Sequence, residues 1–186
     1  MLYGAPTARR QDALRNRAAI VEAASEIMTS SESVIPMPEI ARRAGVAQAT
    51  LYRHFSDRST LAAAVIAYQL QRLEAVACEP VSFRDLLRAV LHTQIAMRPL
   101  VILARRLDAA TRSRFQRQMT AAFAEPLRRA QSLGYVRSDL VPDDLVLLFT
   151  MVQSVAEATD DVALARAAAD RSIDLVLDGV FRAGAP

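Results

Sequence analysis

A chain of 186 residues, 52% of them hydrophobic, is long enough for one well-packed domain or for two small ones that share a helix. With only 5 glycines, and apolar content made largely of Ala and Leu rather than β-branched alternations, the composition points to an all-α fold. Cys78 is the single cysteine, which excludes an intramolecular disulfide and a multi-cysteine metal site; no stretch reaches the ~18 uninterrupted apolar residues of a membrane helix, and the first ten residues lack a signal-like apolar run, so a soluble cytoplasmic protein is expected.

The net charge of +3 is unevenly spread. Residues 1–138 hold 20 Arg against 11 acids, a balance of +9, whereas residues 139–186 hold 3 Arg against 9 acids, a balance of −6. That asymmetry suits an N-terminal region facing phosphates and a C-terminal region turned away from nucleic acid; the alternative is chance surface charge.

In chain order, residues 1–8 have turn-forming composition and are expected to be a disordered lead. Arg9, Arg10, Arg15 and Arg17 follow, opposed only by Asp12, and offer nonspecific affinity for a nucleic-acid backbone or ordinary solvated surface. From Gln11 to Met28, Leu14, Ala18, Val21 and Met28, flanked by Ile20, Ala24 and Ile27, recur at helical spacing and predict a first helix, which the polar cluster Thr29 to Ser33 ends. Pro36 and Pro38 fit only the first turn of a second helix, where missing amide donors are tolerated.

Residues 36–58 carry the functional signal. Ile40 and Ala44 lie four apart, as do Leu51 and Phe55, and Gly45 falls between the pairs, where a helix would end in a left-handed residue. Two short helices joined by a tight turn follow. With Leu51 and Phe55 inward, the second helix turns Gln48, Ala49, Tyr52 and Arg53 outward, small and polar residues able to approach base edges.

The string Ile40-Ala41-x-x-Ala44-Gly45-Val46-x-x-x-Thr50-Leu51-Tyr52-x-His54-Phe55, followed by Ser56-Asp57-Arg58 and Leu61, resembles the DNA-binding domain of tetracycline-repressor-type (TetR family) regulators. The chain departs from that pattern where Pro36 stands in place of a Thr, Ala49 in place of a Gly and Arg58 in place of a Lys. The resemblance implies a homodimeric, all-helical, ligand-responsive repressor. Its helix-turn-helix DNA-binding domain would occupy residues 11–56 and its ligand-binding and dimerisation domain residues 57–186. The residues expected at double-stranded operator DNA are Gln48, Ala49, Thr50, Tyr52, Arg53, His54 and Arg58.

Beyond the motif, Ser56 is the expected cap of a connector helix whose stripe runs through Leu61, Val65, Tyr68, Leu70, Leu73 and Val76 to Glu79-Pro80. Ser82 is the expected cap of an amphipathic helix bearing Phe83, Leu86, Leu87, Val90, Leu91 and Ile95, ended by Pro99. Leu100 to Leu107 forms a shorter helix, and Thr111 to Ser132 a longer one in which Pro126 predicts a kink or a restart. Gly134 should end that helix in a left-handed conformation, and helices over 142–158 and 162–183 close the chain. Their apolar faces, with Leu145, Leu148, Phe149, Val152 and Val155 on one and Ile173, Val176, Leu177, Val180 and Phe181 on the other, imply by resemblance a four-helix dimer interface.

Phe115, Met119, Phe123 and Phe149, with Met151, are the candidate lining of an effector pocket, or else ordinary core; few charges lie among them, so an apolar or aromatic small molecule is expected. Catalysis finds no support. His54 and His92 are the only histidines, neither has a companion at ligand or acid–base spacing, and no phosphate-cradling glycine loop exists, so neither an enzyme, a cofactor nor a metal is expected. The alternative is a helical small-molecule-binding or interaction protein that keeps a degenerate helix-turn-helix. Thr50, Tyr52 and Arg53 favour the regulator, because a core alone does not require polar side chains outward at those three positions.

Overall fold

The computed structural model describes residues 5–30, 36–159 and 161–182. Among them run nine α-helices: α1 (Ala5–Ser30), α2 (Met37–Arg43), α3 (Gln48–His54), α4 (Arg58–Ala77), α5 (Phe83–Ala96), α6 (Arg98–Ala104), α7 (Ala109–Ser132), α8 (Asp144–Ala156) and α9 (Val162–Val180). Apart from an antiparallel bridge between Val136 and Phe181 they hold no β-structure. The all-α expectation holds, and among the described residues no single helix is long and apolar enough to cross a membrane.

The helices sort into two compact units. One takes the described residues up to Gln69 together with Met97–Leu107; the other takes Leu70–Ala96 and the described residues from Asp108 onward. Helix α4 belongs to both, Arg58–Gln69 to the first and Leu70–Ala77 to the second.

In the first unit α1 packs on α2, α3 and α6, and α2 packs on α3. The core is built from Ile20, Ala24 and Ile27 of α1, Ile40 of α2, Leu51 and Phe55 at α3, Leu61 and Val65 of α4, and Leu100 and Leu103 of α6. Two seven-residue helices cannot bury enough surface by themselves, so α1 and α4 supply the apolar walls that make them stable. Helix α1 starts at Ala5, six residues before its expected first residue; Ala and Arg are strong helix formers, and Pro6 sits in a first turn that needs no amide donor. Residues 1–4 of the expected lead and residues 31–35, where the polar cluster was to end the helix, lie outside the described residues. Leu14, expected on the buried stripe, is 61% exposed. At 26 residues α1 outruns the seven-residue helices it packs on, and Leu14 lies before the stretch from Ile20 to Met28 that carries its buried residues.

The second unit pairs α8 with α9 and sets α5 against α7, α8 and α9. Its core gathers Leu87 and Leu91 of α5, Phe123 and Leu127 of α7, Leu145, Phe149 and Val152 of α8, and Ile173 and Leu177 of α9. Helix α7 runs unbroken through Pro126 instead of restarting there; the ring is buried in this unit, and its packing offsets the one hydrogen bond that proline cannot donate. Helix α9 stops at Val180, short of the expected 183, because Phe181 turns extended to bridge Val136, and Arg182 N–H donates to the Tyr135 carbonyl at 2.9 Å.

The second unit also corrects the expected dimer face. Of the ten residues expected there, Leu145, Phe149, Val152, Ile173, Leu177, Val180 and Phe181 are buried within this chain, and Leu148, Val155 and Val176 are half-buried. A different stripe is left outside: Leu147 (62% exposed) and Met151 (58%) on α8, and Leu164 (59%) and Leu175 (56%) on α9. Helical periodicity finds apolar positions but does not say which of two apolar faces a neighbouring helix will cover.

Candidate nucleic-acid interface

The turn between α2 and α3 is built by backbone chemistry. Gly45 sits at φ 67°, its N–H donates to the Arg42 carbonyl at 3.2 Å, and the Val46 N–H reaches back to the Ala41 carbonyl at 3.0 Å, the paired bonds of a Schellman ending. These bonds satisfy carbonyls at the end of α2 and redirect the chain into α3. Pro36 is the N-cap of α2, and Pro38 occupies its first turn.

Helix α3 hides Leu51, while Phe55, just past its end, is 1% exposed. Gln48, Ala49, Tyr52 and Arg53 are exposed, as their spacing predicts; Thr50 and His54 are half-buried. Arg53 has no hydrogen-bonded or ionic partner among the described residues, so its guanidinium is open to solvent. Arg58, half-buried, opens α4 just behind Asp57, and Asp57 rather than Ser56 caps that helix. The Asp57 carboxylate accepts the Thr60 N–H at 2.8 Å, and Ser56 Oγ donates to Asp57 at 3.0 Å. The Thr60 amide, with the Ser56 hydroxyl, holds the Asp57 carboxyl below the usual carboxylate range.

Two charged contacts stand out around the helix-turn-helix, and only the first was not legible in the sequence. Arg17 of α1 stands over the Phe55 ring, 5.2 Å from its centroid, so a cation from the first helix is fixed against the end of α3. The second is Glu39, whose carboxylate accepts from Arg42 Nε and Nη2, each at 2.7 Å, and from Arg43 Nε at 3.2 Å. These two guanidiniums drive the Glu39 pKa down to about 2, and the carboxylate in turn offsets one of the two positive charges on α2. Glu39 stands three and four residues from its partners, a helical ion-pair spacing that is visible in the sequence once α2 is assigned.

His54 is a special case. Its Nε2 is buried without a hydrogen-bond partner among the described residues, and desolvation, followed by the Arg53 and Arg17 charges, pushes its pKa below the ordinary histidine range. The ring is therefore neutral at pH 7, which suits an Nε2 that no acceptor receives.

A family of tetR-type bacterial regulatory proteins matches residues 34–65, the helix-turn-helix with its flanks. The C-terminal domain described as that of an SbtR-like transcriptional regulator matches residues 81–182, more than half of the chain. The chain belongs to the TetR family. A TetR transcriptional regulator from Streptomyces coelicolor is 25% identical, with 90% of this chain aligned to 99% of that one at a TM-score of 0.67. A TetR regulatory protein from Mycobacterium vanbaalenii is likewise 25% identical, covering 93% of this chain and 99% of its own at a TM-score of 0.63. SmeT of Stenotrophomonas maltophilia, in its complex with triclosan, shares the fold at 21% identity and a TM-score of 0.58, over 92% of this chain and 94% of that one. No curated protein matches the chain. The protein is thus a DNA-binding transcriptional regulator of the TetR family, and α2 and α3 are its helix-turn-helix.

In this TetR-family regulator, Phe123 and Phe149 lie in the second core with ring centroids 5.8 Å apart, and Met119 packs half-buried against the same cluster. Phe115 is buried with the Arg114 guanidinium 5.2 Å from its ring centroid, whereas Met151 points outward on α8. Between α5 and α8, Gln94 Nε2 donates to the Phe149 carbonyl at 3.0 Å and to Gln153 Oε1 at 3.4 Å, and Gln153 Nε2 donates to Glu157 at 2.7 Å. Gln153 is 3% exposed, so this chain of bonds is what allows a polar side chain in an apolar core. Cys78 is exposed, and His92 lies 3.5 Å from Asp170 on the surface.

Proposed function

We propose that the chain is a homodimeric repressor that binds a pseudo-palindromic operator through α3 and is released by a small apolar molecule. Residues 11–56 act as the DNA-binding domain and residues 57–186 as the regulatory one. The observation that carries this reading is the division of α3 into a buried apolar side and an outward polar one, with Arg53 unpaired on it. Gln48, Thr50 and Arg53, with Ala49 between them, face base edges; Tyr52, His54 and Arg58 hold the backbone. The work is binding and not catalysis.

A two-fold dimer reading successive major grooves needs its recognition helices roughly 34–36 Å apart. The exposed stripe of Leu147, Met151, Leu164 and Leu175 supplies an apolar face for such a dimer. SmeT, which shares the fold, is known in complex with triclosan, a small aromatic molecule. An effector of comparable character is in keeping with the Phe115, Met119, Phe123 and Phe149 surroundings. It must bind the DNA-incompetent state more tightly, so operator DNA must weaken effector binding by the same factor.

A gel shift with DNA from the gene's own upstream region tests the reading. Arg53→Ala should cost about 1–3 kcal/mol on the best operator and relax specificity at one position, while Tyr52→Phe should weaken all sequences alike. Uniform losses for both variants would remove the base-reading role from Arg53. No shift at any upstream sequence would sink the operator reading.

A further inference from the structure

The second unit contains a cavity that the DNA-binding reading does not use. It has a volume of about 100 Å³, opens to solvent, and lies where the start of α5, the end of α7 and the last residues after α9 meet. Phe83, Pro126, Leu133 and Phe181 give it apolar walls, and two cationic residues, Arg84 and Arg129, are among those that line it. None of Phe115, Met119, Phe123 and Phe149 is part of its lining.

We propose that this cavity binds a small aromatic monocarboxylate, ring inward and carboxylate on the two arginines. The aromatic preference follows from the walls: the Phe83 and Phe181 rings are 5.7 Å apart, and the adjacent Tyr135 adds a third. The size follows from the volume, since an apolar cavity of about 150 Å³ accepts benzene, so one ring partly inserted is the limit and fused rings are excluded. The charge follows from the cations. Arg84 is held in place, its guanidinium 5.1 Å from the centroid of Phe181 and bonded to Asp178 at 3.2 Å, while the Arg129 side chain has no hydrogen-bonded or ionic partner among the described residues. Two guanidiniums against one carboxylate leave a single positive charge, which matches a carboxylate better than a dianionic phosphate. The planar fork of an arginine also suits a carboxylate's geometry.

The site lies against a structural joint. Phe181 is both a wall of the cavity and the bridge partner of Val136, and Tyr135 accepts the Arg182 amide. An occupied cavity braces the turn after α7 to the end of α9 and raises the melting temperature of the chain.

The test is a titration of the full chain with 4-fluorobenzoate followed by fluorine NMR, with 4-fluorobenzamide as the uncharged isostere. Saturable binding of the acid, at least about tenfold weaker binding of the amide, and a similar loss in Arg129→Ala are expected. Arg129 lies on the surface, so that variant keeps the fold, which circular dichroism checks. Ala130→Phe, which fills the cavity, should abolish binding, whereas Arg53→Ala on the helix-turn-helix should leave it unchanged. Absence of saturable binding, equal affinity for acid and amide, or full binding by both cavity variants would overturn the proposal. The readout needs no DNA, so its failure is separate from failure of the operator reading.

Discussion

At the scale of single residues, charge and burial around α3 set two expected pH dependences of opposite chemical origin. Folding lowers the His54 pKa from the ordinary 6.5, so the unfolded chain binds more protons below that value and stability falls as the solution is acidified through it. Denaturant midpoints compared between about pH 7.5 and 5.5 should drop for the natural chain and drop less for His54→Gln. An identical fall in both would show that the desolvated imidazole is not responsible. Glu39 acts further down the scale. Its pKa is lowered from 4.5 to about 2 by Arg42 and Arg43, so its contribution is complete above 4.5 and is lost as pH falls toward 2. Because the group is solvent-screened the effect is small, and its signature is that Glu39→Gln flattens the acid limb of the stability profile. The same substitution frees a positive charge on α2 and should steepen the salt dependence of DNA binding.

Among the elements, the two left-handed glycines and the facing surfaces of α5 and α9 make the sharpest expectations. Gly45 and Gly134 lie at φ 67° and 76°, each closing a Schellman ending, and a Cβ at either would meet nothing within 4 Å. The penalty for Gly45→Ala is therefore backbone strain alone, roughly 1–2 kcal/mol, measurable as a shift in the urea midpoint. A larger loss would mean a steric clash that this geometry does not contain. Helices α5 and α9 run antiparallel, with Arg84 on Asp178 at 3.2 Å, Arg88 on Asp174 at 3.3 Å and His92 on Asp170 at 3.5 Å. Each partner is four residues from the next on its own helix, so the pairs form a ladder with a unique register. Exposed pairs contribute less than about 1 kcal/mol each, and the ladder matters for alignment more than for stability. Arg88→Asp should destabilise modestly, and adding Asp174→Arg should recover most of the loss. A double variant no better than the single one would deny the pairing.

At the scale of the whole molecule, the face left over by the second core is the expected seat of the homodimer. Leu147 and Met151 are one turn apart on α8, and Leu164 and Leu175 lie on the paired α9, all with their side chains in solvent. Leu147→Glu with Leu175→Glu should yield a folded monomer in sedimentation at micromolar concentration and a weakened gel shift, because one α3 cannot span two half-sites. A double variant that sediments as the natural chain does would place the dimer contact elsewhere.

The helix-turn-helix was legible because its determinants are local. Gly45 between two apolar pairs, prolines at a helix start and a polar face at helical spacing are properties of neighbouring residues, and backbone sterics translate them directly into structure. The same holds for the Gly134 ending and for most helix positions. What depended on distant residues was not legible. Nothing near Arg17 announces that Phe55 will lie under it, and nothing in Leu100–Leu107 announces that α6 joins the unit of α1. Helix α9 has an apolar residue at Phe181 and no local reason to stop, yet the bridge to Val136 ends it. On α8 and α9, apolar spacing named the residues that this chain keeps in its own core, because periodicity measures how apolar a face is and only packing decides what covers it.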